Sequence, residues 1–184
     1  MVELELAIEE LARDTWARDA DWCAARMAEF YGHDSSGAEP YGREADLWFL
    51  LDCPLPDGQT PIWRMRQERA ERAVELLARS EFRAWRIEAP PLAVCAHRRD
   101  RVRLERRQAG LEPGAIAVGR SIPLGPQRWL LLGHVSSIGE RDAPAFERMI
   151  GSLHAPAGEF WRVHGGVLAR AALQWPSSGL GIAA

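Results

Sequence analysis

The chain contains no lysine and no asparagine: all 23 basic residues among its 184 are arginine. Both missing residues use AT-rich codons, so the bias points to a GC-rich, bacterial genome. It also means that arginine stands on solvated faces where other proteins carry lysine. Without lysine the phosphate-cradling loop GxxxxGK[ST] is excluded, and no GxGxxG occurs either. Cysteine is sparse. Cys23, Cys53 and Cys95 are scattered and odd in number, which argues against a disulfide framework and fits a reducing compartment. No apolar run reaches the roughly 18–20 residues of a membrane helix. The start is acidic (Glu3, Glu5, Glu9, Glu10), whereas a signal peptide opens with basic residues. The expectation is a cytoplasmic protein with no membrane span.

Catalytic signatures are missing too. Five histidines and three cysteines show no CxxC, HxxxH or HExxH spacing, so no metal and no cofactor are expected. Gly-x-Ser-x-Gly is absent. Ser136-Ser137, after a strand that carries His134, is the one hint of a nucleophile beside a base, because alternation lets His134 and Ser136 face the same way. The bland alternative is a pair of polar residues ending a strand. No catalytic residue is assigned.

What is present is 47% apolar and 27% charged residues with a net charge of −3, the profile of a globular protein with one sizeable core. Apolar residues recur at Leu4, Ile8, Ala12, Trp16, Ala20, Cys23, Met27 and Phe30, which predicts helix over residues 2–31, broken at most once near Asp14-Thr15. Residues 33–45 read as loop. Leu47 to Leu51 is a short apolar run suited to a buried strand, stopped by Pro54-Leu-Pro-Asp-Gly58. Thr60 and Pro61 open a helix to Ser80 with a stripe of Ala70, Ala73, Val74 and Leu77. Glu68–Arg72 and Glu75–Arg79 are spaced as i,i+4 pairs along it.

Strands are expected over Phe82–Glu88, Leu92–His97, Arg101–Arg107, Ala115–Ser121 and Gln127–Val135. Arg101-Val-Arg-Leu alternates, placing Val102 and Leu104 inward. Asp142 caps a helix bearing Phe146, Met149, Ile150 and Leu153. Gly165-Gly166 signals a C-terminal hairpin rather than a helix. The fold class is therefore α+β: a curved antiparallel sheet of about five to seven strands with an N-terminal helix, a central helix and a closing helix packed on it. The divisions are a helical segment over 1–32, a loop over 33–45, the α+β domain over 46–156, and a hairpin or helix with a frayed tail over 157–184.

Two features suit binding. Arg98, Arg99, Arg101, Arg103, Arg106 and Arg107 form the densest charge cluster, either a docking surface for an acidic partner or a solvated hairpin that discourages edge pairing. On a net-acidic chain this single patch argues against general nucleic-acid binding. Eight tryptophans are many for this length. Trp48, Trp85 and Trp129 fall on core positions, while Trp16 and Trp22, six apart, cannot share one stripe of a continuous helix, so one of them either covers a groove or a partner or, as the favoured reading, packs near the surface.

From Asp46 to Leu153 the order of pieces resembles the DcrB-related branch of the PsbP-like superfamily: Leu47–Leu51, Leu55-Pro-Asp-Gly58, Pro61–Arg79, Phe82, Trp129–Gly133, and Phe146–Leu153 with Ser152. The resemblance implies a non-catalytic binding module, of which bacterial chaperones for secreted effectors are one example. The family opens with a β-hairpin where residues 2–31 here read as helix. The element order is also similar to the cone-shaped nuclear-transport-factor-like fold, which implies a small-ligand binder or enzyme with a pocket under the sheet lined by Asp52, His134 and Ser136. Partner contacts under the first reading fall on Arg98, Arg99, Arg101, Arg103, Trp16 and Trp22.

Overall fold

The computed structural model describes residues 2–31, 42–105, 111–156 and 159–175. The chain divides into two compact units, Met1–Arg79 and Ser80–Ala184.

The first unit is helical. α1 (Val2–Arg18) and α2 (Ala20–Tyr31) break at Asp19, not at Asp14-Thr15. Thr15 is fully buried, and its hydroxyl donates back to the Leu11 carbonyl at 2.9 Å, a bond that loosens the last turn of a helix. Leu4, Ile8, Ala12 and Cys23 of the expected stripe are buried, as is Leu11; Ala20 is exposed, and the Met27 and Phe30 side chains lie outside those described. α3 (Gly42–Leu51) stands where a strand was expected. A five-residue apolar run has no period of its own. Here Leu, Trp and Phe rather than β-branched residues follow the helix-favouring Arg-Glu-Ala, and the local preference decides. Leu47, Phe49 and Leu50 are buried.

The expected helix to Ser80 is two helices, α4 (Pro61–Glu68) and α5 (Arg72–Ala78). Arg69 is extended and pairs with Asp14 of α1, which draws the backbone out of the helix. The break separates Glu68 from Arg72, and neither glutamate pairs with the expected arginine among the described residues. Glu68 instead accepts from Arg18 at 2.6 Å, and Glu75 from Arg66 at 2.9 Å. Val74 and Leu77 are buried as expected; Ala70 is exposed.

Among the described residues the strands all lie in the second unit: β1 (Glu81–Ala89), β2 (Leu92–Cys95), β3 (Arg101–Leu104), β4 (Ile116–Gly125) and β5 (Arg128–Ile138). The class is α+β, but the sheet closes into a barrel in the order β1-β2-β3-β5-β4 rather than remaining open and curved. Neighbours are antiparallel except β3 and β5, which pair in parallel through Arg103–Arg128 and Leu104–Trp129. Closure follows from the length of β1, which pairs with both β2 and β4. A closed barrel removes most of the free edge that an open sheet would present.

Inward positions are filled by side chains. Trp85 and Leu131 are 0% exposed there, and so are Ile116, on the opposite face of β4, and Phe146 of α6. Each contributes about 1.5–3 kcal/mol through burial. The Trp85 indole N–H donates to the Ser121 hydroxyl at 2.9 Å, so the buried ring carries no unmet donor. Val102 and Leu104 face inward and Arg101 and Arg103 outward, as the alternation requires. In β5 the register slips between Gly119 and Arg120, where Gly133 adopts φ +60° and, with His134, is left out of the pairing. Ser136 and Ser137 lie inside β5, paired with Val118 and Ala117, and do not end it.

Two helices complete this unit. α6 (Ala143–Ser152) buries Phe146 and Ile150. α7 (Phe160–Gln174) runs unbroken through Gly165-Gly166, so the expected hairpin is a helix. The reason is packing: a Cβ on Gly165 would lie 2.9 Å from the carbonyl oxygen and Cβ of Phe82, so only glycine lets α7 approach β1 this closely.

Candidate functional site

The arginine cluster takes its geometry from strand register. Arg86 pairs across with Val94, and Val94 with Arg101, forming a row over β1, β2 and β3 on the outer face of the barrel. The adjacent row, Ile87, Ala93 and Val102, points inward and is buried. A cleft of about 690 Å³ opens over the outer row, walled by Ile87, Val94, Cys95 and Ala96 and carrying Arg86, Arg99, Arg101, Glu88 and Glu147. Gly114 forms one rim at φ +83°, a position where a Cβ would come within 2.7 Å of the Glu140 side chain.

The charges in the cleft are unevenly matched. Arg86 meets Glu147 of α6 at 3.3 Å, and Arg101 meets Glu88 at 3.2 Å. Arg99 makes no ion pair among the described residues. It sits in the β2–β3 turn at φ 64°, the left-handed region that favours glycine. Its N–H donates to the Cys95 carbonyl at 2.8 Å, and the Cys95 N–H donates to the Asp100 carbonyl at 2.9 Å, which fixes the turn.

Of the arginines expected to face a partner, the structure brings Arg99 and Arg101 into the cleft. Arg98 and Arg103 are exposed outside its lining, Arg103 standing 4.0 Å from Glu105, which is itself bonded to Arg128 at 2.8 Å. The Arg128 bond holds the Glu105 carboxyl below the usual carboxylate range. Arg106 and Arg107 lie outside the described residues. Arg86 was not singled out in the sequence. Its signal was the spacing of Arg86 and Glu88, two apart on one strand face and therefore opposite the alternating arginines of β3.

Trp16 and Trp22 are packing residues, and they share one site rather than two separate stripes. The break at Asp19 re-aims α2, so both rings converge on Phe49, at centroid distances of 6.2 and 5.1 Å. Each is half-buried packing of the first unit. Asp52 is exposed in the first unit, Ser136 is half-buried in the second, and neither lines the cleft. The His134 side chain lies outside those described. A smaller hollow of about 290 Å³ in the first unit is lined by Glu10, Arg13, Asp14, Arg69 and Glu71 among others. Among the described residues no three His, Cys, Asp or Glu side chains gather as a metal set.

A second cluster lies at α7. The His97 ring stacks on Phe160 at 3.7 Å between centroids and 9° between planes, and meets Trp161 edge-on. Burial against these rings, then Arg98 and His164, hold its pKa below the ordinary 6.5. His164 Nε2 lies 2.9 Å from the His154 carbonyl, and the Trp161 indole nitrogen is buried with no hydrogen-bond partner among the described residues.

Compared with protein-family models, with curated proteins and with solved structures, the chain matches none of them.

Proposed function

We propose that this protein is a non-catalytic binding module that docks an acidic segment of a protein partner on the arginine-bearing outer face of its barrel. The observation that carries the reading is the cross-strand row Arg86–Val94–Arg101, which sets arginines and an apolar floor side by side in one open cleft. Arginine is a usual interface anchor because its planar fork matches a carboxylate. An adaptor or effector chaperone is the class implied by the DcrB-related resemblance. Leu4, Ile8, Leu11, Ala12 and Cys23 of α1 and α2 are buried, which favours the barrel over these helices for the docking role.

The barrel's strand order supports a second reading, since five-stranded Greek-key barrels also bind oligonucleotides. Such sites stack bases on aromatic rings beside a basic groove. Among the described residues no aromatic lines this cleft, and two glutamates do, so the acidic protein segment is favoured. Fluorescence anisotropy of the full chain decides between them with a labelled glutamate-rich peptide and a labelled single-stranded oligonucleotide. The expected result is saturable peptide binding that weakens as ionic strength rises, with weaker oligonucleotide binding. Tighter oligonucleotide binding, abolished by Arg101→Ala, would establish the second reading instead.

A further inference from the structure

Resting on that reading, we infer that Arg99 is the anchor of the site and that it takes a single carboxylate from the bound segment. Three arginines against two glutamates leave the cleft one positive charge. Arg86 and Arg101 already pair with Glu147 and Glu88, while Arg99 makes no ion pair among the described residues. One carboxylate completes the balance. A phosphate dianion would leave a surplus negative charge beside both glutamates. The half-buried Val94 side chain, between Arg86 and Arg101 on the outer row, takes an aliphatic side chain next to that carboxylate.

The backbone of Arg99 adds an independent argument. A long side chain at φ 64° occupies a turn position that glycine fills with less strain. Strained non-glycine positions cluster at binding sites, where the side chain is needed for recognition. Stability and binding therefore pull in opposite directions at this residue, and a merely structural arginine would not show that split.

The test uses the full chain and fluorescence anisotropy with a fluorescein-labelled peptide of about eight residues built from Glu, Leu and Gly, and its twin with phosphoserine in place of Glu. Arg99→Ala is expected to weaken the glutamate peptide about tenfold or more, the scale of one charge-assisted bond. Arg99→Gly weakens it equally yet melts at a higher temperature than the parent. Arg103→Ala, outside the lining, changes affinity less than about threefold. Glu147→Gln, which releases Arg86, shifts preference toward the phosphoserine peptide. If Arg99→Ala binds as the parent does while Arg101→Ala fails, the docking surface stands and the anchor assignment is overturned. If the parent already prefers phosphoserine tenfold, the single-carboxylate assignment is overturned. If the parent binds neither peptide, the binding reading itself falls.

Discussion

Gly165 and Gly166 are adjacent in one helix, and the structure gives their replacement by alanine opposite signs. In a helix interior alanine is favoured over glycine by about 0.8–1 kcal/mol. A Cβ on Gly166 meets nothing within 4 Å, so Gly166→Ala should realise that full gain. A Cβ on Gly165 would lie 2.9 Å from the Phe82 carbonyl oxygen, which is backbone of β1 and cannot swing aside. The helix must lift off the strand, loosening Phe160, Trp161 and Leu168, all buried in the barrel core. Overpacking of this kind costs about 1–3 kcal/mol, against which the propensity gain offsets about 1. Gly165→Ala should therefore be neutral to about 2 kcal/mol destabilising. Urea unfolding followed by tryptophan fluorescence and far-UV circular dichroism measures both. Equal stabilisation by the two substitutions would show that α7 does not seat on β1. Equal and large destabilisation would restore the hairpin, since both glycines of a tight turn need positive φ.

That pair of residues also shows what the sequence could and could not convey. Period-2 alternation made Val102 and Leu104 of β3 legible, and local punctuation located every strand of the barrel within a few residues. Closure of the sheet was not legible, because it depends on β1 meeting β4 and on a parallel β3–β5 pair joining distant residues. The Gly-Gly dipeptide misled because its reason is tertiary: the space it clears belongs to Phe82. Leu47–Leu51 misled because a short apolar run carries no period. Of the candidate site, the arginines of the β2–β3 hairpin were visible as a cluster, but Arg86 and its acid partners enter only through cross-strand register. Trp16 and Trp22 were separated by assuming a continuous helix, which the break at Asp19 removes.

Leu131 is 0% exposed in a central strand of the barrel, so Leu131→Ala should cost about 2–5 kcal/mol by denaturant titration; a loss below about 1 would place β5 wrongly. All three cysteines are buried, and burial followed by Asp19 pushes the Cys23 thiol up to about 11, so Ellman's reagent at pH 8 should titrate them rapidly only after unfolding. Rapid reaction of Cys23 in the native protein would contradict its placement. His97 is held neutral below its ordinary 6.5, so on acidification the unfolded chain takes up a proton before the folded one does. The stability present above that value should fall as pH drops from about 6.5 through the folded pKa, and His97→Phe should flatten the melting profile there. An unchanged profile would show that His97 is not desolvated against Phe160.

The central claim is that binding belongs to the outer face of β1, β2 and β3. Its most direct measurement is a nuclear magnetic resonance titration of the isotope-labelled full chain with the glutamate-rich peptide, reading backbone amides and arginine Nε–H signals together. The account predicts that the Arg99, Arg101 and Arg86 side-chain signals and the Val94 and Gly114 amides move with one saturation curve, while Trp16, Trp22 and the α1 amides stay in place. Movement confined to the helical unit, or an even spread over all exposed arginines without saturation, would contradict it.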